Sequence, residues 1–227
     1  MALQLYIGNK NYSSWSMRPW VLMRQLGIPF QEIPLRLDFS EGSAFRRAVA
    51  RVSPAGKVPV LVDDGFAVWD TLAIAEYLHE TFAALGVWPA APRERARARS
   101  LCAEMHAGFG ALRGSCPMNV EASLAEVGKR IWAEQPEVRR DVERIDHLWT
   151  QQLGGHDGPM LFGAFSAVDA FYAPVCSRLT TYALPISTAA RAYVDRVTSL
   201  AAVAEWNAAA LKEADFLGFD EPYRQGR

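Results

Sequence analysis

The hydrophobic positions in the first 85 residues switch between a period of two and a period close to 3.6. Residues 3–7 (L-Q-L-Y-I) and 30–37 (F-Q-E-I-P-L-R-L) alternate apolar and polar side chains, which predicts two β-strands. Between them, residues 16–26 place apolar side chains at helical spacing. Gly27 follows as a residue typical of a left-handed helix C-cap, so the helix is expected to end there.

A second set of elements completes this N-terminal part. Residues 43–51 predict a short helix that ends at the turn-forming sequence S-P-A-G-K. Residues 58–69 (V-P-V-L-V-D-D-G-F-A-V-W) contain two β-rich runs joined at Asp64-Gly65, a strong hairpin signal. The sequence D-T-L-A-I-A-E-Y-L-H-E-T-F then predicts a helix, so the order of elements is βαβαββα.

The pattern is helical throughout after a stretch bounded by prolines. A long helix is predicted to begin near residue 93, and further helices are predicted over 121–152, 166–182, 187–200 and 202–213. The fold class is therefore an α/β domain followed by an all-α domain. We expect the α/β domain over residues 1–85, a linker over 86–91 and the all-helical domain over 92–227.

Composition and charge exclude several classes of function. Half of the 227 residues are apolar, and 24 basic against 25 acidic side chains give a net charge of −1. Without a basic excess we expect no nucleic-acid or membrane partner, and the arginines of 93–99 predict a solvated helix face. No apolar run reaches the roughly 18 residues of a membrane span, and no leader pattern is expected. Cys102, Cys116 and Cys176 are spaced too widely for a disulfide framework or a zinc site, so we expect free thiols, no metal and a cytoplasmic location.

Two serines stand where the first strand is followed by the first helix. Ser13 and Ser14 lie in the sequence N-Y-S-S-W-S-M-R-P-W. One interpretation is helix capping, which stabilises a helix by about 1 kcal/mol. The other is anion binding, because a helix N-terminus carries partial positive charge and free N–H groups that a serine hydroxyl can supplement. The serines alone leave both interpretations open.

Two further features indicate a ligand of amino-acid type. Proline removes a donor from a β-ladder, so Pro59 either begins an edge strand or forms a turn, for which a cis peptide bond is one route. Such a turn leaves the N–H and C=O of Val58 free to pair with an extended peptide ligand. Asp70 and Thr71 begin a helix, where they are either simple caps or the partners of an ammonium and a carboxylate. A ligand end that carries both charges is an α-amino acid.

Three fragments, S-S-W-S-M-R, K-V-P-V-L and D-T-L-A-I-A-E-Y-L, together resemble the glutathione transferase superfamily in their order and spacing. The resemblance covers essentially the whole chain, because L-F-G-A-F-S-A-V-D-A-F-Y-A-P-V at 161–175 is similar to the helix-six capping motif of that family. In that motif Ser166 and Asp169 form a capping box. The resemblance implies a thioredoxin-like N-terminal domain, a helical second domain and glutathione as cosubstrate.

The resemblance also implies roles for individual residues. S-S-W-S-M-R is most similar to the zeta-type S-S-x-S-x-R signature, so Ser13 takes the place of the catalytic serine and Ser14 that of its supporting neighbour. Trp15 replaces the cysteine of zeta enzymes. Tyr12 is a weaker candidate for the thiolate donor, and Tyr6 lies within the first strand. The implied glutathione site consists of Ser13, Ser14, Trp15, Lys57, Val58, Pro59, Asp70 and Thr71.

A small electrophilic second substrate is expected between the two domains. Helical spacing predicts that one stripe along the first long helix faces this substrate. The candidates on the stripe are Arg99, Cys102, His106, Phe109 and Arg113, and Trp15 is a further candidate. Arg113 is favoured if the substrate is anionic. The expected function is that of a glutathione transferase in which a serine hydroxyl stabilises the glutathione thiolate. A glutathione-dependent isomerase of maleylacetoacetate type, a peroxidase, and a non-catalytic scaffold module are the alternatives. The resemblance also implies a homodimer.

Overall fold

The structure, a computed structural model, describes residues 3–227. Its N-terminal part has the predicted βαβαββα order. The elements are β1 (Leu3–Ile7), α1 (Ser14–Gln25), β2 (Phe30–Pro34), α2 (Ala44–Val49), β3 (Val60–Asp63), β4 (Phe66–Trp69) and α3 (Thr71–Thr81). They form a four-stranded sheet of order β2-β1-β3-β4, in which β2 is parallel to β1 while β3 and β4 are antiparallel to their neighbours.

Local sequence explains the ends of these elements. Gly27 has a φ of 69°, so it ends α1 in the left-handed conformation that glycine adopts without steric cost. Asp64 and Gly65 have φ values of 47° and 85°, which is the backbone of a tight hairpin between β3 and β4. The bond between Val58 and Pro59 is cis and lies just before β3 begins.

The second part of the chain is helical, as predicted. A 3₁₀ turn (Ala83–Leu85) leads to α4 (Pro92–Ala107), α5 (Gly110–Ser115), α6 (Ala125–Glu134), α7 (Pro136–Gly155), α8 (Ala167–Thr181), α9 (Thr188–Thr198) and α10 (Ala201–Glu213). The capping box of Ser166 and Asp169 at the start of α8 is confirmed. The fold class, a thioredoxin-like sheet with helices followed by a helical region, is likewise confirmed.

The single helix predicted over 121–152 is wrong. Residues 121–124 lie outside any helix, and the remainder is divided into α6 and α7 at Pro136. Proline lacks an N–H and its ring clashes with the preceding turn, so it begins α7 at its first position instead of continuing α6. Apolar periodicity alone does not reveal this break.

A shared core joins the sheet to the helices. Helix α1 packs against α3 on one side and against α8 and α10 on the other. The buried Trp20 of α1 and Trp206 of α10 meet edge to face, with ring centroids 5.3 Å apart. Among residues 3–227, no helix combines the length and apolarity that a membrane crossing requires.

The C-terminal segment, residues 214–227, returns to the loop that connects β1 to α1. Tyr12 donates its hydroxyl hydrogen to Glu221 at 2.7 Å, and the Asn9 side chain donates to Asp215 at 3.1 Å. Glu213, at the end of α10, accepts a hydrogen bond of 2.7 Å from the backbone N–H of Lys10. Three hydrogen bonds from the end of the chain therefore hold the loop that carries Ser13 in place.

Candidate functional site

A cleft runs between the sheet and the helical region and consists of two adjoining cavities. The first, which we call the hairpin cavity, has a volume of about 490 Å³ and is lined by Trp15, Ala55, Lys57, Val58, Pro59, Trp69, Asp70, Thr71, His106 and Arg113. The second, which we call the serine cavity, has a volume of about 330 Å³. Its lining includes Tyr12, Ser13, Ser14, Phe39, Phe45, Met118, Arg178 and Asp220. Both cavities share Trp15, Lys57, Val58 and Arg113, so they form one continuous cleft.

All eight residues of the sequence-derived glutathione site line this cleft. The hairpin cavity is bordered by Pro59, Asp70 and Thr71, and the serine cavity by Ser13 and Ser14. Lys57 and Val58 border both cavities. Val58 lies immediately before β3, and Thr71 is the first residue of α3. The fold thus assembles three separate sequence segments around one cavity system.

The start of α3 contributes polar groups to the hairpin cavity. Asp70 caps the helix, since its Oδ1 accepts a hydrogen bond of 2.8 Å from the backbone N–H of Leu72. Its other carboxylate oxygen lies 3.2 Å from Nε2 of His106. The Thr71 side chain is 1% exposed, and its hydroxyl has no hydrogen-bond partner among the residues that the structure describes. A buried hydroxyl without a partner is costly, and a ligand with an acceptor atom would remove that cost.

Ser13 is the N-cap residue of α1, yet its side chain does not cap the helix. Its hydroxyl makes no hydrogen bond to the first helical turn. Instead, the hydroxyl oxygens of Ser13 and Ser16 lie 2.7 Å apart, and the backbone N–H of Gly8 donates to Ser16 at 3.1 Å. The capping interpretation of Ser13 is therefore wrong, and its hydroxyl lies at the wall of the serine cavity.

Ser14 has a charged partner from the other part of the chain. Arg178, on α8, donates a hydrogen bond of 3.3 Å to the Ser14 hydroxyl oxygen and one of 2.9 Å to the carbonyl of Cys116. Because the guanidinium accounts for this contact as donor, the Ser14 hydroxyl hydrogen remains available to another acceptor. Burial lowers the pKa of Arg178 to about 10, so it still carries its charge at neutral pH.

Two arginines lie against Trp15, and together with Arg178 they make this end of the cleft positive. The guanidinium of Arg18 lies 4.2 Å from the Trp15 ring centre, and that of Arg113 lies 5.0 Å from it. Arg18 is 2% exposed, its Nε and one terminal nitrogen have no partner among residues 3–227, and burial lowers its pKa to about 9. Within the same residues, Arg18, Arg113 and Arg178 form no ion pair with a carboxylate. The three guanidinium groups thus lack a direct carboxylate partner, and this excess of positive charge favours an anion in the cleft.

Tyr12 is a poor thiolate donor despite lining the serine cavity. Its hydroxyl hydrogen is engaged by the Glu221 carboxylate. Burial, together with this hydrogen bond, raises the pKa of Tyr12 to about 12. The structure thus assigns Tyr12 to holding the C-terminal segment.

The predicted stripe for the second substrate is only partly assembled. His106 and Arg113 line the hairpin cavity, and burial followed by the nearby Arg18 and Arg113 charges lowers the pKa of His106. Arg99, Cys102 and Phe109 are absent from the lining of both cavities. The prediction assumed one continuous helix, whereas α4 ends at Ala107 and Phe109 has a φ of 55° at the start of α5.

The environments of the three absent residues explain their positions. Arg99 forms an ion pair with Glu76, with Nη2 and Oε2 2.6 Å apart. Cys102 is fully buried, and burial raises the pKa of its thiol well above the usual value, which makes it inert at neutral pH. Phe109 is 6% exposed and belongs to the hydrophobic core.

Sequence reasoning missed Ser16 and Arg178. Ser16 lies inside the serine motif, but nothing in its spacing distinguishes a buried partner of Ser13 from another polar residue of the helix. Arg178 carried a usable signal, because it interrupts the otherwise apolar and small residues of α8 (A-V-D-A-F-Y-A-P-V-C-S-R-L). A buried arginine needs partners, and such a residue is a reason to look for a polar site nearby.

Comparisons with known proteins show what the N-terminal part of the chain is similar to. Residues 12–81 match the family described as "Glutathione S-transferase, N-terminal domain". The chain is 38% identical over 68 residues to a dichloromethane dehalogenase of Methylorubrum extorquens, covering 29% of this chain and 23% of that protein. It is 27% identical over 131 residues to a maleylacetoacetate isomerase of Rattus norvegicus, covering 58% of each chain. The matches therefore span less than two thirds of these relatives.

Solved structures extend the likeness to nearly the whole chain. A glutathione transferase homologue from Burkholderia GL BGR1 with bound glutathione superposes with a TM-score of 0.70 at 23% identity. That match covers 93% of this chain and 100% of the other. At this identity the likeness shows the fold of the chain.

Proposed function

We propose that the protein is a glutathione-dependent enzyme, because residues 12–81 match the glutathione S-transferase N-terminal domain family and the chain shares its fold with a solved glutathione transferase homologue. Glutathione binds in the cleft, and a serine hydroxyl stabilises its thiolate for attack on an electrophile. The observation that carries this proposal is the buried, unpartnered hydroxyl of Thr71 beside Asp70 at the start of α3. This hydroxyl can donate a hydrogen bond at the position where the family resemblance places the amino-acid end of glutathione.

Each part of glutathione has a complementary group in the cleft. The γ-glutamyl carboxylate accepts from the Thr71 hydroxyl and from the N-terminus of α3, and the ammonium faces Asp70. The cysteinyl backbone pairs with Val58, and Lys57 meets the glycyl carboxylate. This arrangement directs the thiol to the serine cavity. We accordingly propose residues 1–85 as the glutathione-binding domain and residues 92–227 as the source of the electrophile-binding face.

Hydrogen bonding and charge at the serines account for thiolate formation. A free thiol has a pKa near 8.5, and lowering it by one unit takes about 1.4 kcal/mol. A hydrogen bond to a charged acceptor contributes about 1.5–3 kcal/mol, and a helix N-terminus about 0.3–1 kcal/mol. Together they lower the thiol pKa by about one to two units, without any covalent bond to the enzyme.

The arginines without an ion-pair partner favour a second candidate function, isomerisation of an anionic substrate. Arg113 borders both cavities and Arg178 borders the serine cavity, so a carboxylate of the second substrate would meet positive charge beside the thiolate. Maleylacetoacetate isomerases are among the relatives. Peroxide reduction uses the same thiolate and stays an alternative.

Turnover rates with different second substrates distinguish transferase, isomerase and peroxidase activity. A panel of maleylacetoacetate, a peroxide and a neutral halogenated aromatic, each with glutathione, identifies the preferred reaction. We expect Arg113→Gln to raise KM for the anionic substrate about tenfold and to change turnover of the neutral electrophile little. An equal effect on both would remove the anionic preference.

Calorimetric titration with glutathione tests the proposal as a whole. We expect the wild-type protein to bind glutathione, and Thr71→Val to weaken binding about tenfold or more, since it removes one hydrogen bond to a charged group. Thr81→Val is the matched control, because Thr81 ends the same helix and its hydroxyl only donates to the carbonyl of Tyr77. Absence of binding to the wild type at millimolar glutathione would favour the scaffold alternative and end the proposal.

A further inference from the structure

The hydroxyl of Ser16 has no assigned role, although it contacts Ser13, which lines the serine cavity. Ser16 is fully buried on α1, and its oxygen lies 2.7 Å from the hydroxyl oxygen of Ser13. Its oxygen also accepts a hydrogen bond of 3.1 Å from the backbone N–H of Gly8, at the end of β1. Ser16 therefore connects the end of the central strand to the serine that the proposed reaction uses.

The number of available hydrogens determines which of the two hydroxyls, Ser13 or Ser16, donates the hydrogen bond between them. A hydroxyl has one hydrogen to donate, and it rotates to suit its surroundings, so two hydroxyls can bond in either direction. The Gly8 N–H is a donor only. The Ser16 hydroxyl has two partners among residues 3–227, the Gly8 N–H and the Ser13 hydroxyl, and of these two only the Ser13 oxygen can accept the Ser16 hydrogen. If Ser13 donated to Ser16, the buried Ser16 hydrogen would have no partner, which native structures avoid.

We propose that Ser16 is a positioning residue that donates its hydroxyl hydrogen to Ser13 and thereby directs the Ser13 hydrogen towards the bound thiolate. The proposal rests on the proposed function. It explains why Ser13 stands at the N-cap of α1 without capping it. A hydroxyl that accepts a hydrogen bond also becomes a stronger donor, so the chain from Gly8 through Ser16 to Ser13 strengthens the last bond, to sulfur.

The surroundings keep the pair in this geometry. A side chain at Gly8 would meet the Ser13 oxygen at 3.1 Å and the Leu37 side chain at 2.7 Å, so the backbone of the strand lies directly against the hydroxyls. Ser14 is held differently, by Arg178, and shares no hydrogen bond with Ser16 among the described residues. The two serines are therefore positioned independently, one by a neutral hydroxyl and the other by a buried cation.

The test measures the thiol pKa of bound glutathione from its thiolate absorbance as pH is varied. We expect Ser16→Ala to raise that pKa by about half a unit to one unit while the glutathione dissociation constant is unchanged. Ser16→Thr, which keeps the hydroxyl, should restore the wild-type pKa. Because Ser16 acts through Ser13, the Ser13→Ala/Ser16→Ala double variant should have the same pKa as Ser13→Ala alone.

Controls separate positioning from a loss of stability. Ser166→Ala removes a buried hydroxyl from the capping box of α8 and should lower stability without changing the thiol pKa. If Ser16→Ala does not fold, Ser16→Cys, whose thiol is slightly larger and only a weak donor, should also raise the thiol pKa.

The proposal is overturned if Ser16→Ala leaves the thiol pKa unchanged while Ser13→Ala raises it, or if the two effects add in the double variant. Failure of the wild type to bind glutathione in the calorimetric titration would instead end the proposed function itself, and this inference with it.

Discussion

At the scale of single residues, His106 and Asp70 make the hairpin cavity sensitive to acid. Nε2 of His106 lies 3.2 Å from a carboxylate oxygen of Asp70, the group proposed to face the glutathione ammonium. Burial, and the charges of Arg18 and Arg113, lower the pKa of His106 from its ordinary value. The imidazole is consequently neutral at neutral pH and gains a proton only on acidification below the usual range.

Protonation of His106 should weaken glutathione binding, because the new positive charge competes with the ammonium for Asp70. We expect the glutathione dissociation constant to rise about threefold or more between about pH 7 and about pH 5 in the wild type. His106→Gln, which cannot be protonated, should show a clearly smaller rise. Titration calorimetry across this pH range is the measurement, and an identical rise in both proteins would contradict the assignment.

At the scale of elements, the C-terminal segment fixes the loop that carries the serines. The Glu221 carboxylate is 5% exposed and accepts hydrogen bonds from Tyr12 at 2.7 Å and from Asn119 at 2.8 Å. Arg224 adds an ion pair, with its Nε 2.9 Å from the other carboxylate oxygen. One acidic residue of the tail thus connects the serine loop to the helical region.

Removing the Tyr12 hydroxyl should cost stability and leave the thiol chemistry intact. We expect Tyr12→Phe to lower the free energy of unfolding by about 1.5–3 kcal/mol, the range for a hydrogen bond to a charged group. The pKa of bound glutathione should not change. Urea unfolding and the thiolate titration together check this, and a normal stability with a raised thiol pKa would instead identify Tyr12 as the thiolate donor.

Sequence patterns predicted elements well where local signals are strong. The Asp64-Gly65 hairpin, the Gly27 cap and the Ser166 capping box each rest on backbone preferences of a few adjacent residues. The break at Pro136 and the end of α4 at Ala107 were missed, because helical periodicity continues across them. Propensity is a weak predictor of where one helix ends and the next begins.

In the candidate site, too, local sequence signals were informative and long-range contacts were not. The residues of its N-terminal motifs line the cleft because short segments of one domain carry them. Arg178 meets Ser14 across 164 positions of sequence, and such a contact depends on how α8 packs against α1. No local pattern encodes that packing, so the sequence marks Arg178 as a charged residue within an apolar helix but does not identify Ser14 as its partner.

At the scale of the whole molecule, we propose a homodimer. Phe66 lies on the edge strand β4 and is 63% exposed, an arrangement that a second chain would cover. We expect sedimentation at micromolar protein to give twice the mass of one chain. The variant Phe66→Glu should shift the protein towards the monomer, and a wild-type monomer under these conditions would refute the proposal.

The central claim is that a serine hydroxyl, and not a tyrosine or a cysteine, stabilises the glutathione thiolate. It is tested most directly by titrating the thiol of bound glutathione in the wild type, Ser13→Ala and Ser14→Ala. We expect the wild-type thiol pKa to lie about one to two units below 8.5 and Ser13→Ala to return it towards the free value.

Activity near neutral pH should fall about ten- to a hundredfold in Ser13→Ala and recover in part at higher pH. Ser14→Ala should have the smaller effect. A larger effect in Ser14→Ala would make Ser14 the donor, and an unchanged thiol pKa in both variants would contradict serine activation altogether.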